Sequence, residues 1–540
     1  MPKINLNKKR VLEIVGKKLT DRELNEKLPF LGTDLEEITE KEIEVETFPD
    51  RPDLLSEEGF ARALKAYLGL TKSPKEYKAK KSSYEVNVEK SVEKVRPYTV
   101  CAVVKNLNLN EEKVNGLIQM QEKLHLTHGR GREKAAIGIY PLEKMEFPIN
   151  YKALKPSEIK FKPLESEREM NGNEILEENE KGKEYKHLLE GKAKYPVFTD
   201  ANNNFLSMPP IINSEELGRV NEGTENVFVE CSGNDLEVLK KTLNIVCATL
   251  SDMEGEVYEV KINYGNPIIT PDFKEIKVKA NVNYINSYLG LNLTEREVKN
   301  CLKNMNVKYK YGEAIFPSYR VDVIDSIDVV EDVGIGYGYQ NFEDDAEKVF
   351  TAGKEDELEI KKRKLTEYLV GSGLIENESN HILNKELQEK TNENNIVTLL
   401  NSVSSEHNSM RKKIIHSLLH NLHNNKNNVY PQKVFEMGTV YEDKEEILEK
   451  ENISVLLAGD FNLTNAIQYL ELIGKSLNIR FELEEKDNSL FIEGRSCNIK
   501  LDKKIIGVLG EINPSVLELY ELEVPVAGFE MSLNHIFEEV

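Results

Sequence analysis

Between Pro317 and Phe342 five carboxylates recur at close helical spacing: Asp322, Asp325, Asp328, Glu331 and Asp332. Residues three and four apart share one face of a helix, and like charges there repel by roughly 0.2–0.5 kcal/mol per pair. Such a stripe calls for a counter-charge. A hard cation such as Mg2+, which takes oxygen ligands, is one candidate, and an arginine is the other. The competing reading is a solvated face in an acidic chain. Val321, Ile324, Ile327, Val330 and Val333 alternate with the acids every third residue, so the spacing predicts a helix with one apolar and one acidic side. The exit through Gly334, Gly336, Tyr337, Gly338 and Tyr339 lacks the preceding strand and following helix of a nucleotide-binding loop.

The elements that position this stretch belong to a long, acidic chain. At 540 residues it exceeds one hydrophobic core and predicts about three to five domains. Cys101, Cys231, Cys247, Cys301 and Cys497 are scattered without Cys-x-x-Cys spacing, which excludes a zinc ribbon or disulfide framework and suits a reducing cytoplasm. No apolar run nears the ~20 residues of a bilayer crossing, and the N-terminus lacks the apolar core of a signal peptide. A net charge of −22 argues against gripping nucleic acid over the whole surface, because phosphate binding rests on lysine and arginine. RNA contact then needs a basic partner or a local patch. Lys123, His125, His128, Arg130, Arg132 and Lys134 form such a patch, predicted as a loop between a helix and a strand.

Periodicity predicts a multidomain α+β chain. Residues 1–75 read as an N-terminal α/β domain, with a capping box at Thr20 and Glu23 and an N-cap at Ser56. There Arg51 and Asp53 either pin a turn or contact a ligand. Residues 76–265 read as a larger mixed domain, and residues 266–345 as a small helical domain that ends in the acidic stretch. Residues 346–540 read as an antiparallel sheet with helices, including a strand, a loop and a long helix over residues 394–426.

Four stretches, in order, resemble the phenylalanyl-tRNA synthetase beta-subunit family of class II aminoacyl-tRNA synthetases. They are FPDRPDLLSEEGFARAL from Phe48; SMPPIIN from Ser207 with NVFVECSG from Asn226; Arg320-x-Asp322 with Asp328, Glu331-Asp332 and the Gly-Tyr-Gly-Tyr exit; and the C-terminal strands. The resemblance covers nearly the whole chain and is closest to the archaeal and eukaryotic cytosolic type. It implies a magnesium site at Asp322, Asp328, Glu331 and Asp332, with Asp325 outside the ligand set. It also implies an α2β2 heterotetramer in which the alpha subunit performs ATP-dependent activation of phenylalanine and its transfer to tRNA.

The second stretch resembles the family's editing domain, which hydrolyses tyrosine wrongly joined to tRNA for phenylalanine. An apolar pocket rejects an added hydroxyl only about 10²-fold, so a second site that binds that hydroxyl is chemically reasonable. The resemblance offers Asn213, Glu230, Ser232 and Gly233 as pocket residues. Taken singly, Asn213 also reads as a turn cap, Glu230 as an exposed strand residue, and Ser232-Gly233 as a turn. Where many relatives carry His-Asp after the Gly-Ile, this chain has Tyr140-Pro141.

The C-terminal block resembles a class II catalytic core without its phosphate-binding arginines. VFEMG has none beside Glu436, and GVLGEINP and GFEMSL end without one, while Arg411 and Arg495 occur in other contexts. The expectation is a catalytic-like fold that serves assembly. Two rival readings are a free-standing tRNA-deacylating hydrolase and a non-enzymatic nucleic-acid-binding or assembly protein.

Overall fold

Alternating apolar residues build three sheets of three or more strands among the described residues of the first part of the chain, beside the short pair Lys160–Phe161 and Met170–Asn171. In the first, Lys3–Asn7, Glu42–Thr47 and Thr33–Ile38 pair antiparallel in that spatial order. Ile4 faces Val45 and Leu6 faces Ile43 across the register, and all four are buried. Thr20 and Glu23 form the expected reciprocal cap, and Ser56 caps the helix Glu57–Tyr67 through the Gly59 N–H. The computed structural model describes residues 2–344 and 351–538. Contacts divide the chain into two units, Met1–Ala346 and Glu347–Val540.

The second sheet has ten strands, and its hydrogen-bonded path runs from Ile212–Asn213 at one end to Ala135–Pro141 at the other. Its last strand, Ile268–Thr270, pairs with Glu256–Asn263, so the sheet reaches beyond residue 265. The helix Glu111–Leu126 covers the Ala135–Pro141 edge. Gln121 Nε2 donates to the Ile137 carbonyl at 2.7 Å, and the Ile137 N–H donates to His125 Nε2 at 2.8 Å. Two side chains one helical turn apart thus satisfy backbone groups that an edge strand leaves open. The sheet curls until its two ends meet, with the Tyr140 hydroxyl 2.8 Å from Ser207 Oγ.

The third sheet, Ile276–Lys279, Glu313–Phe316 and Lys308–Lys310, packs with three helices, so the small domain expected to be helical is mixed. Its acidic helix is shorter than the spacing predicted. It spans Ser326–Tyr337, with Asp325 as N-cap, and residues 321–324 precede it.

In the second unit seven strands form one sheet, antiparallel except where Ile375–Glu376 runs parallel to Gln432–Asp443. The strand expected after residue 394 does not form: Thr398 makes one bridge to Ser409, Asn392 and Asn395 have positive φ, and although Ile396 and Val397 are buried, Leu400 is fully exposed. The helix expected beyond it spans Ile414–Asn424.

Candidate functional site

Where the ends of the curled sheet meet lies a cavity of about 1130 Å3. Val114, Leu117, Ile118, Ile139, Ile211 and Val220 give it apolar walls, and Asn213, Glu230, Glu122, His125 and Arg132 give it polar points. Glu230 sits mid-strand in Val227–Gly233, registered between Cys101 and Gly138. The Tyr140 hydroxyl lies 3.2 Å from Glu230 Oε1 and 3.4 Å from Asn213 Oδ1. Residue 138 must be glycine for this to fit: a Cβ there would lie 2.2 Å from the Tyr140 hydroxyl oxygen and 2.7 Å from Glu230 Oε1.

Burial pushes Glu230 up to about 8 against the opposing charge of Arg96, so at neutral pH the carboxyl is mostly protonated. Its Oε2 is buried and has no hydrogen-bond partner among the described residues. A buried polar atom without a partner costs about 1–3 kcal/mol, so a group that supplied the missing bond would gain that much. The cluster can therefore hold one hydroxyl at the end of an apolar slot.

The structure brings two of the four expected pocket residues, Asn213 and Glu230, to this cavity. Ser232 and Gly233 are not among the residues that line it, although the Ser232 hydroxyl acts on the Glu230 carboxyl. Ser232 Oγ accepts from Arg96 Nε at 3.2 Å, and a Cβ at Gly233 would lie 2.0 Å from the Lys134 carbonyl. Tyr140, which the sequence marks only as a departure from relatives, is part of the site, as are Ser207, the first residue of the SMPPIIN stretch, and Gly138, which carries no signal of its own.

The basic patch is corrected as well. His125 and Arg132 are buried, which removes them from a free RNA-contacting loop, whereas Arg130 is exposed. Arg132 Nη1 donates to the Pro210 and Ile211 carbonyls at 3.2 and 2.8 Å, and its guanidinium lies 4.1 Å from the centroid of the Tyr185 ring. Its Nη2 holds Glu122 Oε1 at 2.9 Å. Burial would raise the Glu122 carboxyl, but His125 and Arg132 outweigh it and hold the group at about 2.

At the acidic helix the counter-charge comes from inside the chain. Arg320 donates to both oxygens of Asp322, at 2.6 to 3.1 Å, and to both oxygens of Asp332, at 2.8 and 3.0 Å. Asp328 Oδ2 accepts the Ile324 and Asp325 N–H groups at 2.6 and 2.8 Å. Glu331 lies on the surface, raised by partial burial and by the nearby Asp50, Asp332, Asp322 and Asp328. Among the described residues no group of three or more His, Cys, Asp or Glu side chains is placed to hold a metal. The four expected ligands as arranged do not fit an ion, because two of them are committed to Arg320. Nearby, Arg51 Nε holds Asp53 Oδ1 at 2.8 Å, both buried, so this pair pins its turn.

In the second unit Arg411 proves to sit beside Glu436 after all. The two form a fully buried ion pair, Arg411 Nε donates to the Thr439 carbonyl at 2.9 Å, and Glu436 Oε2 accepts from Ser379 Oγ at 2.7 Å. Arg495 is half-exposed and paired with Glu511.

Residues 278–339 match the family model of the tRNA synthetase B5 domain. With the antiparallel C-terminal sheet, this places the molecule among the aminoacyl-tRNA synthetases. Residues 347–533 match the phenylalanyl tRNA synthetase beta chain CLM domain. The chain is 37% identical over 556 residues to the phenylalanine–tRNA ligase beta subunit of Pyrococcus abyssi, covering 100% of both proteins. It is 36% identical over 552 residues to that of Methanocaldococcus jannaschii, covering 99% of this chain and 100% of the relative. A crystal structure of an N-terminal fragment of the Pyrococcus horikoshii phenylalanyl-tRNA synthetase beta subunit is 38% identical and matches with a TM-score of 0.60, over 63% of this chain and all of the fragment. The chain belongs to the family of phenylalanine–tRNA ligase beta subunits. No helix among the described residues is long and apolar enough to cross a membrane.

Proposed function

We propose that the chain works in the cytoplasm as half of an α2β2 tetramer whose alpha subunit binds ATP and phenylalanine, and that its middle domain hydrolyses tyrosine esters of tRNA for phenylalanine. The observation that carries the editing activity is Glu230: a protonated carboxyl with one unpartnered oxygen, on the wall of a cavity with apolar sides. A tyrosyl ring fits such walls, and its hydroxyl supplies the missing hydrogen bond without burying a charge. A phenylalanyl ester leaves Glu230 unsatisfied, and sites built to bind a hydroxyl reject analogues that lack it far more strongly than apolar pockets reject an extra one. Tyr140 and Asn213 orient the carboxyl.

The test is deacylation by the purified complex. Wild type should release tyrosine from the mischarged tRNA faster than phenylalanine from the correct product, and Glu230→Ala should abolish that preference while leaving phenylalanine activation by the alpha subunit intact. Equal rates for both esters in the wild type would place the editing activity elsewhere. Magnesium at Asp322, Asp328, Glu331 and Asp332 would require Arg320 to release two of them.

A further inference from the structure

The cavity has a second polar point besides Glu230. Glu122, on the helix Glu111–Leu126, lines the same cavity. Its Oε1 is held by Arg132 Nη2 at 2.9 Å, and His125 Nδ1 lies 3.6 Å from the same oxygen. Both holders are themselves fixed. The His125 ring accepts the Ile137 N–H at Nε2, so in the neutral imidazole the hydrogen is on Nδ1 and faces the carboxylate. Arg132 is held by the Pro210 and Ile211 carbonyls through Nη1 and by the Tyr185 ring, which fixes its guanidinium against the carboxylate. Glu122 Oε2 takes no hydrogen bond from any described residue. A rigid carboxylate with one open oxygen, on the wall of a cavity, is suited to a cation carrying N–H donors.

We propose that Glu122 anchors the α-ammonium group of the aminoacyl ester, an assignment that rests on the editing reading of this cavity. An amino acid esterified to tRNA has lost its carboxylate, and its free ammonium separates it from other phenolic acyl groups. With the ring between the apolar walls and the hydroxyl on Glu230, the ammonium on Glu122 fixes the remaining end and thereby the position of the ester. Glu122 is thus a positioning residue. The low pKa set by its neighbours keeps it charged throughout the working pH range.

The experiment compares tyrosyl-tRNA with N-acetyl-tyrosyl-tRNA, in which the ammonium has become a neutral amide, using the full chain in complex with its alpha subunit. Wild type should hydrolyse the free-amine ester with kcat/KM about 10- to 100-fold above the acetylated one, the worth of one hydrogen bond to a charged group. Glu122→Gln should remove that difference, lowering the value for tyrosyl-tRNA and leaving the N-acetyl ester within about twofold. An equal fall for both esters means that Glu122 only supports the fold, and no fall for either means that it is idle; either result overturns the assignment. If wild type hydrolyses neither ester, the editing reading itself fails. Calorimetry with L-tyrosinamide against N-acetyl-L-tyrosinamide then still decides the anchor: a loss of tyrosinamide binding alone in Glu122→Gln supports it. Equal loss, no loss, or no binding of either compound by the wild type overturns it.

Discussion

Arg320 and Asp332 meet in a two-pronged ion pair, Nη1 to Oδ2 at 2.8 Å and Nη2 to Oδ1 at 3.0 Å, with both side chains buried. The pair ties the segment before the acidic helix to the middle of that helix, and the same guanidinium holds Asp322. Removing one partner of a buried pair leaves the other uncompensated, at a cost of about 3–5 kcal/mol. Arg320→Met should therefore destabilise the first unit by that order in urea denaturation, while chelation of divalent ions leaves the wild-type midpoint unchanged. A tolerated Arg320→Met together with a midpoint that falls on chelation would show that an ion, and not the arginine, holds the helix.

Glu230 gives stability a pH dependence of known sign. Its carboxyl is raised from an ordinary value near 4.5 to about 8 in the folded chain, so folding favours the protonated form. That contribution is present in full below about pH 4.5 and is lost as pH rises through about 8. Glu230→Gln keeps the neutral form at every pH. Between pH 6 and 9 the variant should lose less stability than wild type, read from denaturation midpoints at each pH. Parallel curves would mean that Glu230 ionises normally.

Tyr140→Phe removes the hydroxyl that lies near Ser207, Glu230 and Asn213. The lost contacts are worth about 1–3 kcal/mol, so tyrosyl-tRNA deacylation should slow by roughly 10-fold or more. Gly138→Ala should do greater harm, because its Cβ would occupy the place of the Tyr140 hydroxyl. The comparison is made by single-turnover hydrolysis with the fold checked by circular dichroism. Unchanged rates in both variants would separate this cluster from the chemistry.

Arg411 and Glu436 neutralise one another in a buried pair, so this arginine is not free for ATP phosphates. The chain without its alpha subunit should exchange no pyrophosphate with ATP in the presence of phenylalanine. Arg411→Met should lower the stability of the second unit by about 3–5 kcal/mol. Exchange above the blank by the isolated chain would contradict the assignment.

Much of this architecture is legible in the sequence, because strand alternation and caps are local. Ile4 and Leu6 face Ile43 and Val45 as their spacing requires, and Thr20 finds Glu23. The acidic stretch misleads because third-residue spacing cannot tell a helix from a turn whose acids converge on a guanidinium. One signal was present: residues two apart do not face each other on a helix, so Arg320 and Asp322 can pair only where the backbone is not helical. The burial of His125 and Arg132 had no such signal. That of Arg132 depends on Tyr185 and on the Pro210 and Ile211 carbonyls, all distant in sequence. Asn213 and Glu230 could be named from motifs, but their meeting with Tyr140 depends on the curl of the whole sheet.

That curl makes the cavity the gap of a split ring. Its two lips, Ala135–Pro141 and Ile212–Asn213, are the members of the path farthest apart in pairing order, so the spacing between them accumulates every twist along the way. Neighbouring strands rotate by about 20–25° on average, and a small change at any inner pair swings everything beyond it. Substitutions among Val86, Ile149 and Ala153, on the inner strands Lys80–Val88 and Ile149–Leu154, therefore widen or narrow the gap without touching anything bound there. Fit at the lips is tuned from the back of the ring, and natural drift in that distant wall alters which side chains are admitted before it threatens folding.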